Sequence, residues 1–377
     1  MSQINEAVNR WIAQRTGMPI SGGALSLQAV TDSLHRIERN LLTLTDKSAY
    51  DVLFYSPRKE FFDSSEIESL SAGFVRSVTF CGEETQLSSL GRRFDLIIAC
   101  THLLREHFAH LIMRTLSLAP LLVAWTWDNH HQPFSNLCYT TLADIVLPGH
   151  KFCADILKSP RYLLGRHIPL CTAQWPLSVA GKLLASENFS SRSDALYGGY
   201  ILYHEFHRKE QLAVLREGVP GNHLTLLDDK DRDQYFGLPA DVRFRDWASH
   251  KVSLAITLSH DLSLRVFDAL LAGQIPIVAG TCHDLDAVIS PHQQELLPVL
   301  RAPDISVRSV TAAWQEGVVR FDAAGQEGVR RRHEFARDHH HITSRIQQIA
   351  TFVAGLAGRF DEVDLSIDAR GLGLVIA

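Results

Sequence analysis

The chain has 377 residues, of which 46% are hydrophobic and 21% charged, and a formal net charge of −5 at pH 7. That length suits two domains of roughly 100–200 residues each, and the mild acidity excludes a protein that holds a polyanion along its surface, so nucleic acid is not an expected partner. No apolar run reaches the about 18 residues of a membrane span, and Met1 to Thr16 lack the basic start and continuous apolar core of a secretory signal, so a cytoplasmic protein is expected.

The six cysteines (Cys81, Cys100, Cys138, Cys153, Cys171 and Cys282) contain no C-x-x-C pair, which argues against a zinc ribbon and against a disulfide framework. Histidines are many, 19, and some are adjacent (His130-His131, His339-His340-His341). Neighbouring residues point different ways on a helix or strand, so adjacency does not make a metal site.

Residues from about 2 to 46 read as helical, with Val30, Leu34, Ile37, Leu41 and Leu42 at three- and four-residue spacing and Thr31 or Asp32 as the expected N-cap. From Tyr50 short apolar runs alternate with amphipathic stretches: DVLFYS (51–56), SVTFCG (77–82), FDLIIAC (94–100), PLLVAWTW (120–127), ADIVLPG (143–149) and RHIPL (166–170). Short apolar, β-branched runs bounded by turn formers predict buried parallel strands, with the intervening helices as crossovers. The alternation pauses between Trp175 and Ser193, the expected interdomain connection. A second series follows, with strands predicted at GGYILYH (198–204), HLTLLD (223–228), VRFRDW (242–247), VSLAITLS (252–259) and IPIVAG (275–280), and a long helix from about Phe335 to Leu356 carrying Ile342, Ile346, Ile349, Val353 and Leu356 on one face.

The most informative stretch is VSLAITLSHDLSLRVFDALLAGQIPIVAG (252–280): a strand, a polar turn, a helix entered through Ser263-Leu264-Arg265, and a second strand after Gly273. Unpaired N–H groups and the positive helix end suit phosphate there, and Asp268, one turn on, is a carboxylate able to accept ribose hydroxyls. This resembles the donor-binding half of GT-B-fold glycosyltransferases. ADIVLPGHKFCADIL followed by LGRHIPLCTAQWP, the Trp-rich WTWDNHH, and HHHITSRIQQI near the C-terminus are similar, in that order, to segments of the group-1-like transferases that include spore-maturation glycosyltransferases. Of the C-terminal motif His340 and Arg345 carry over.

The resemblance implies an α/β protein of two Rossmann-like domains facing across a cleft, with an N-terminal helical extension. The expected boundaries are a helical segment at 1–48, an acceptor domain at 49–175, a nucleotide-sugar domain at 194–334, and a C-terminal helix and tail at 335–377 packing back on the first domain. It implies transfer of a sugar from a nucleotide sugar to a surface polysaccharide, a lipid-linked glycan or a protein, with peripheral membrane contact open. A non-catalytic glycan- or partner-binding module and a nucleotide-sugar 2-epimerase are the alternatives.

Breaking a sugar–phosphate bond leaves negative charge on the diphosphate, which calls for cations near strand ends. Arg208 and Lys209, after the first strand of the second half, are the expected phosphate ligands beside Ser263, Leu264 and Arg265, with Asp268 on the ribose. His204 and Glu205 end the same strand, His204 towards the phosphates and Glu205 towards the sugar as a catalytic candidate. In the first half Asp128 is read as a base or as the carboxylate that orients His130, whose ordinary pKa of about 6.5 suits proton transfer. Asp128 and Asn129 could equally cap the next helix. No D-x-D motif stands at a strand end, so no metal is expected, and the acidic run Asp228, Asp229, Asp231 and Asp233 reads as a solvated loop; no other cofactor is called for.

Overall fold

The computed structural model describes residues 24–57, 62–101, 105–127, 140–159, 161–186, 191–202, 208–228, 231–257, 261–360, 365–367 and 374–376. The chain divides into two compact units, one running to Pro169 and resuming at Arg345, the other comprising 60–63 and Leu170–Ser344.

In the first unit β1 (Tyr50–Tyr55), β2 (Val75–Cys81), β3 (Leu96–Thr101), β4 (Leu121–Thr126), β5 (Ile145–Pro148) and β6 (Leu163–Leu164) form a sheet in the order β2-β1-β3-β4-β5-β6, every neighbour parallel. Their sequences dictate this: LLVAWT of β4 is buried at every position, as a strand covered on both faces must be. A terminal hairpin, Leu365–Ile367 with Leu374–Ile376, extends the sheet beyond β6. On one face Ala109 and Met113 of α2 (Arg105–Thr115) pack with Leu53, Ile97, Leu122 and Val146. Helix α1 (Ala24–Leu42) is tied to the sheet through Asp144, whose fully buried carboxylate accepts from Arg36 Nε (2.9 Å), Asn40 Nδ2 (3.2 Å), the Leu122 amide (2.8 Å) and Arg114 of α2.

Two expectations need correcting here. Thr31 and Asp32 lie inside α1, because the preceding run from Ala24 contains no glycine or proline to stop the helix. RHIPL forms no strand: Pro169 has no amide to give to a ladder, and the Ile168 amide donates to Pro148 O at 3.0 Å.

In the second unit α3 (Leu177–Ser186) lies where the sequence suggested a connection; its LSVAGKLLAS is rich in helix formers, and the Val179 and Ala180 amides donate back to Pro176 O at 3.0 Å. The strands β7 (Ser193–Leu202), β8 (His223–Asp228), β9 (His250–Leu254), β10 (Ile275–Ala279) and β11 (Leu300–Ala302) run parallel in the order β8-β7-β9-β10-β11. Helices α4 (Arg208–Gly218), α5 (Ala240–Ala248), α6 (Leu264–Leu271) and α7 (Val307–His340, broken at Gly325) accompany them. The segment VRFRDW, expected as a strand, is the body of α5. Arg243, Phe244, Trp247 and Ala248 are buried together at helical spacing, so a period of 3.6 and not of two fits its apolar side.

Both sheets thus have the same winding: the second strand lies outside the first and the third on its other side. Each therefore has a topological switch point, between β1 and β3 in one and between β7 and β9 in the other, where ligands of open α/β sheets bind beyond the carboxyl ends of the strands. After α7 the chain reaches its last helix, α8 (Ile342–Arg359), whose Ile346, Ile349, Val353 and Leu356 are buried. Arg345 Nε donates to Pro169 O at 2.9 Å and the Arg166 guanidinium lies 5.3 Å from the Phe352 ring centre. Where the chain enters and leaves the second unit it runs beside itself: Thr172 bridges His341 in parallel, the Thr172 amide donating to His340 O (2.9 Å) and the Ile342 amide to Thr172 O (3.0 Å).

Candidate anion site at the second sheet

Helix α6 follows the carboxyl end of β9, so its positive end opens at the switch point between β7 and β9. Ser263 is its N-cap, with extended dihedrals (φ −83, ψ 161). A serine there ordinarily accepts a hydrogen bond from an amide of the first turn. Ser263 makes no such bond; its hydroxyl is buried and has no hydrogen-bond partner among the described residues. Leu264 opens the helix, half-buried, and Arg265 follows, also half-buried.

Arg265 is held against β7. Its Nε donates to Gly199 O at 3.2 Å and its guanidinium lies over the Tyr200 ring, 4.7 Å from the centroid. The Tyr200 hydroxyl donates to Leu254 O, at the end of β9, at 2.9 Å. Three elements that meet at the switch point, β7, β9 and α6, therefore converge on one cation beside a helix N-terminus, an arrangement suited to an anion.

Asp268 stands one turn further along α6 and faces the interior. It is fully buried; Oδ1 accepts from Thr172 Oγ1 at 2.7 Å and Oδ2 from Gln174 Nε2 at 2.8 Å, while Gln174 Oε1 accepts from Arg243 Nη1 at 3.0 Å. Burial raises its pKa from 3.8 to about 7, against the opposing pull of these two hydrogen bonds and of the Arg265 and Arg243 charges. With both oxygens engaged, a ribose reaches this carboxylate only when Thr172 and Gln174 release it. The far end of α6 is met by donors, as its negative end favours: Arg192 Nη1 donates to Ala272 O (2.9 Å), Arg332 Nε to Gly273 O (2.9 Å) and His333 Nδ1, on a ring that burial keeps from charging, to Leu271 O (2.7 Å). Burial and the neighbouring Arg192 charge pull the Arg332 pKa down to about 9.

Of the other expected phosphate ligands, Arg208 is the first residue of α4 and Lys209 the second, exposed, with its Nζ 3.8 Å from Asp228 Oδ1 at the end of β8. His204 and Glu205, and Asp128 and His130 after β4, fall outside the described residues. His340 is buried and stacked 4.5 Å from the Phe267 ring, so it serves packing beneath α6. Among the described residues no group of three or more His, Cys, Asp or Glu side chains is arranged to hold a metal. A groove of about 470 Å³ lies on the helices, lined by Leu296, Phe335 and Asp338 among others, and none of its lining residues is at a strand end.

Sequence reasoning singled out Ser263 and Arg265 but missed the residues that hold Arg265. The Gly199 carbonyl and the Tyr200 ring receive Arg265, and a backbone carbonyl gives no side-chain signal in the sequence.

No protein family and no curated protein matches the chain. Among solved structures it is similar to a GtfA/B complex, with a TM-score of 0.37 and 14% identity over 72% of this chain and 60% of that one.

Proposed function

We propose that the second unit binds the diphosphate of a nucleotide sugar and that the chain is a glycosyltransferase acting on a glycan, lipid-linked or protein acceptor. The observation that carries the reading is Arg265 in the first turn of α6, at the switch point of a parallel sheet, next to Ser263, whose buried hydroxyl has no partner among the described residues. A helix start supplies unpaired amides and positive potential, and a guanidinium offers forked donors for phosphate oxygens. Negative charge grows on the diphosphate as the sugar–phosphate bond breaks, so the same groups bind the donor and favour the leaving group. Lys209, beside the end of β8, is the second cation of the reading, with Arg208 adjacent to it. Asp128, His130, His204 and Glu205 remain its candidates for proton transfer and sugar contact.

The test is a thermal-shift and calorimetric series with UDP, GDP, dTDP, CMP and their common sugar conjugates, on the parent chain and on Arg265→Ala. The expected result is a rise in melting temperature with one nucleotide class, abolished in the variant, because a ligand that binds only the folded state stabilises it. A series with no shift for any nucleotide sinks the reading. A shift without turnover of the matching sugar nucleotide in the presence of candidate acceptors would favour a binding module instead.

A further inference from the structure

The negative end of α6 is approached by two buried guanidiniums. Arg332, on α7 beyond the break at Gly325, is 1% exposed. Its Nε donates to Gly273 O at 2.9 Å, while its Nη2 is buried with no hydrogen-bond partner among the described residues. Arg192, just before β7, is also buried and gives Nη1 to Ala272 O at 2.9 Å. Both lie against the ring of Phe321, Arg332 at 5.1 Å and Arg192 at 5.6 Å from its centroid, so one aromatic side chain keeps the two cations near each other. Gly328, one turn before Arg332, lets the guanidinium lie against its own helix: a Cβ there would stand 3.2 Å from Nη1.

Charge and hydrogen bonding are both left incomplete at Arg332. A guanidinium has donors and no acceptor, and with its pKa drawn down only to about 9 Arg332 is charged at neutral pH. Among the described residues no carboxylate pairs with it. The carbonyl end of a helix carries roughly half a negative charge, less than this one guanidinium needs. A buried ion without a counter-charge and without its full set of hydrogen bonds is strongly destabilising. A water molecule at Nη2 would supply the hydrogen bond alone, whereas an anion supplies both. We propose that Arg332 and Arg192 form an internal anion site in the second unit, which takes a compact monovalent inorganic ion of the chloride class beside Arg332 Nη2. Enclosure favours a small ion over phosphate, whose oxygens demand more room and more donors. Bound there, the ion ties α7, the start of β7 and the end of α6 into one cluster. It lies at the opposite end of α6 from Ser263 and Arg265, and its binding is independent of whether that other end takes phosphate.

The test is thermal unfolding of the full chain at neutral pH and fixed ionic strength, with gluconate replaced stepwise by chloride. The Tm of the parent is expected to rise by about 2–4 °C, the response to a ligand that binds only the folded state and is present at several times its Kd. Arg332→Met keeps most of the side-chain length and removes the charge, and is expected to fold and to lose the response. A parent indifferent to the exchange overturns the proposal. An equal rise in Arg332→Met also overturns it, because the rise would then be a general effect of salt on the folded state. Should Arg332→Met fail to fold, diffraction from parent crystals grown in bromide decides the matter. An anomalous peak within about 3.5 Å of Arg332 Nη2 is the expected result. No peak there, with or without an ordered water, overturns the proposal.

Discussion

The Thr172 hydroxyl donates to Asp268 at 2.7 Å, so the segment that begins the main part of the second unit is bound to the helix that opens the anion site. The carboxylate at that junction titrates near neutrality. Its pKa is raised by burial from 3.8 to about 7, so between those values the folded chain keeps a proton that the unfolded chain releases. The contribution of this group to stability therefore falls as pH rises from about 4 to about 7 and is level above that. Asp268→Asn removes the titration. Relative to the parent, the variant is expected to gain on the order of a few kcal/mol between pH 4 and pH 8, measured by urea unfolding. A difference that stays constant across that range would contradict a protonated Asp268.

Asp144 makes the opposite case, a buried carboxylate already surrounded by donors from Arg36, Arg114, Asn40 and the Leu122 amide. Asp144→Ala takes this acceptor from two guanidiniums and two amides, and is expected to cost about 3–5 kcal/mol. Chemical denaturation measures this directly. A cost below about 1 kcal/mol would show that water replaces the carboxylate and that α1 is not held through it.

Gly273 ends α6 with φ +74, and a Cβ there would stand 2.4 Å from Val329 Cγ1. Gly273→Ala is expected to destabilise by about 1–3 kcal/mol, from overpacking together with the left-handed backbone. Adding Val329→Ala should recover the packing part and not the conformational part, so thermal unfolding of the pair should remain below that of Val329→Ala alone. Equal melting temperatures for those two proteins would remove the backbone argument.

Lys209 separates binding from stability. Its pair with Asp228 is exposed and 3.8 Å long, so Lys209→Ala is expected to change stability by less than about 0.5 kcal/mol. If Lys209 meets the donor phosphates, the same variant binds the nucleoside diphosphate more weakly and with a shallower salt dependence. Unaltered Kd and salt slope would take it out of the site.

Most of the strands could be read from the sequence because parallel strands buried on both faces leave continuous apolar runs, as LLVAWT and IPIVA do. The misreadings have physical causes. VRFRDW carries β-branched and aromatic residues yet buries a helical face, and local propensity yields to that packing. The three-residue strand Leu300–Ala302 is too short to carry a period at all. At the site, the helix start at Ser263 was visible as a polar turn before an apolar helix. The hold of Gly199 and Tyr200 on Arg265 was not, since Gly199 and Arg265 stand 66 positions apart in the sequence. The buried bonds of Asp268 to Thr172 and Gln174 were hidden for the same reason.

The first unit takes up the chain again at Arg345, after the second is complete. On a ribosome the last helix of the first unit, with Ile346, Ile349, Val353 and Leu356, emerges only after the whole of Leu170–Ser344. The unit that begins first is therefore the one that finishes last, and until then Pro169 and Arg166 wait for Arg345 and Phe352. A ribosome stalled before Arg345 would leave the second unit able to fold while the first stays exposed to chaperones and proteases.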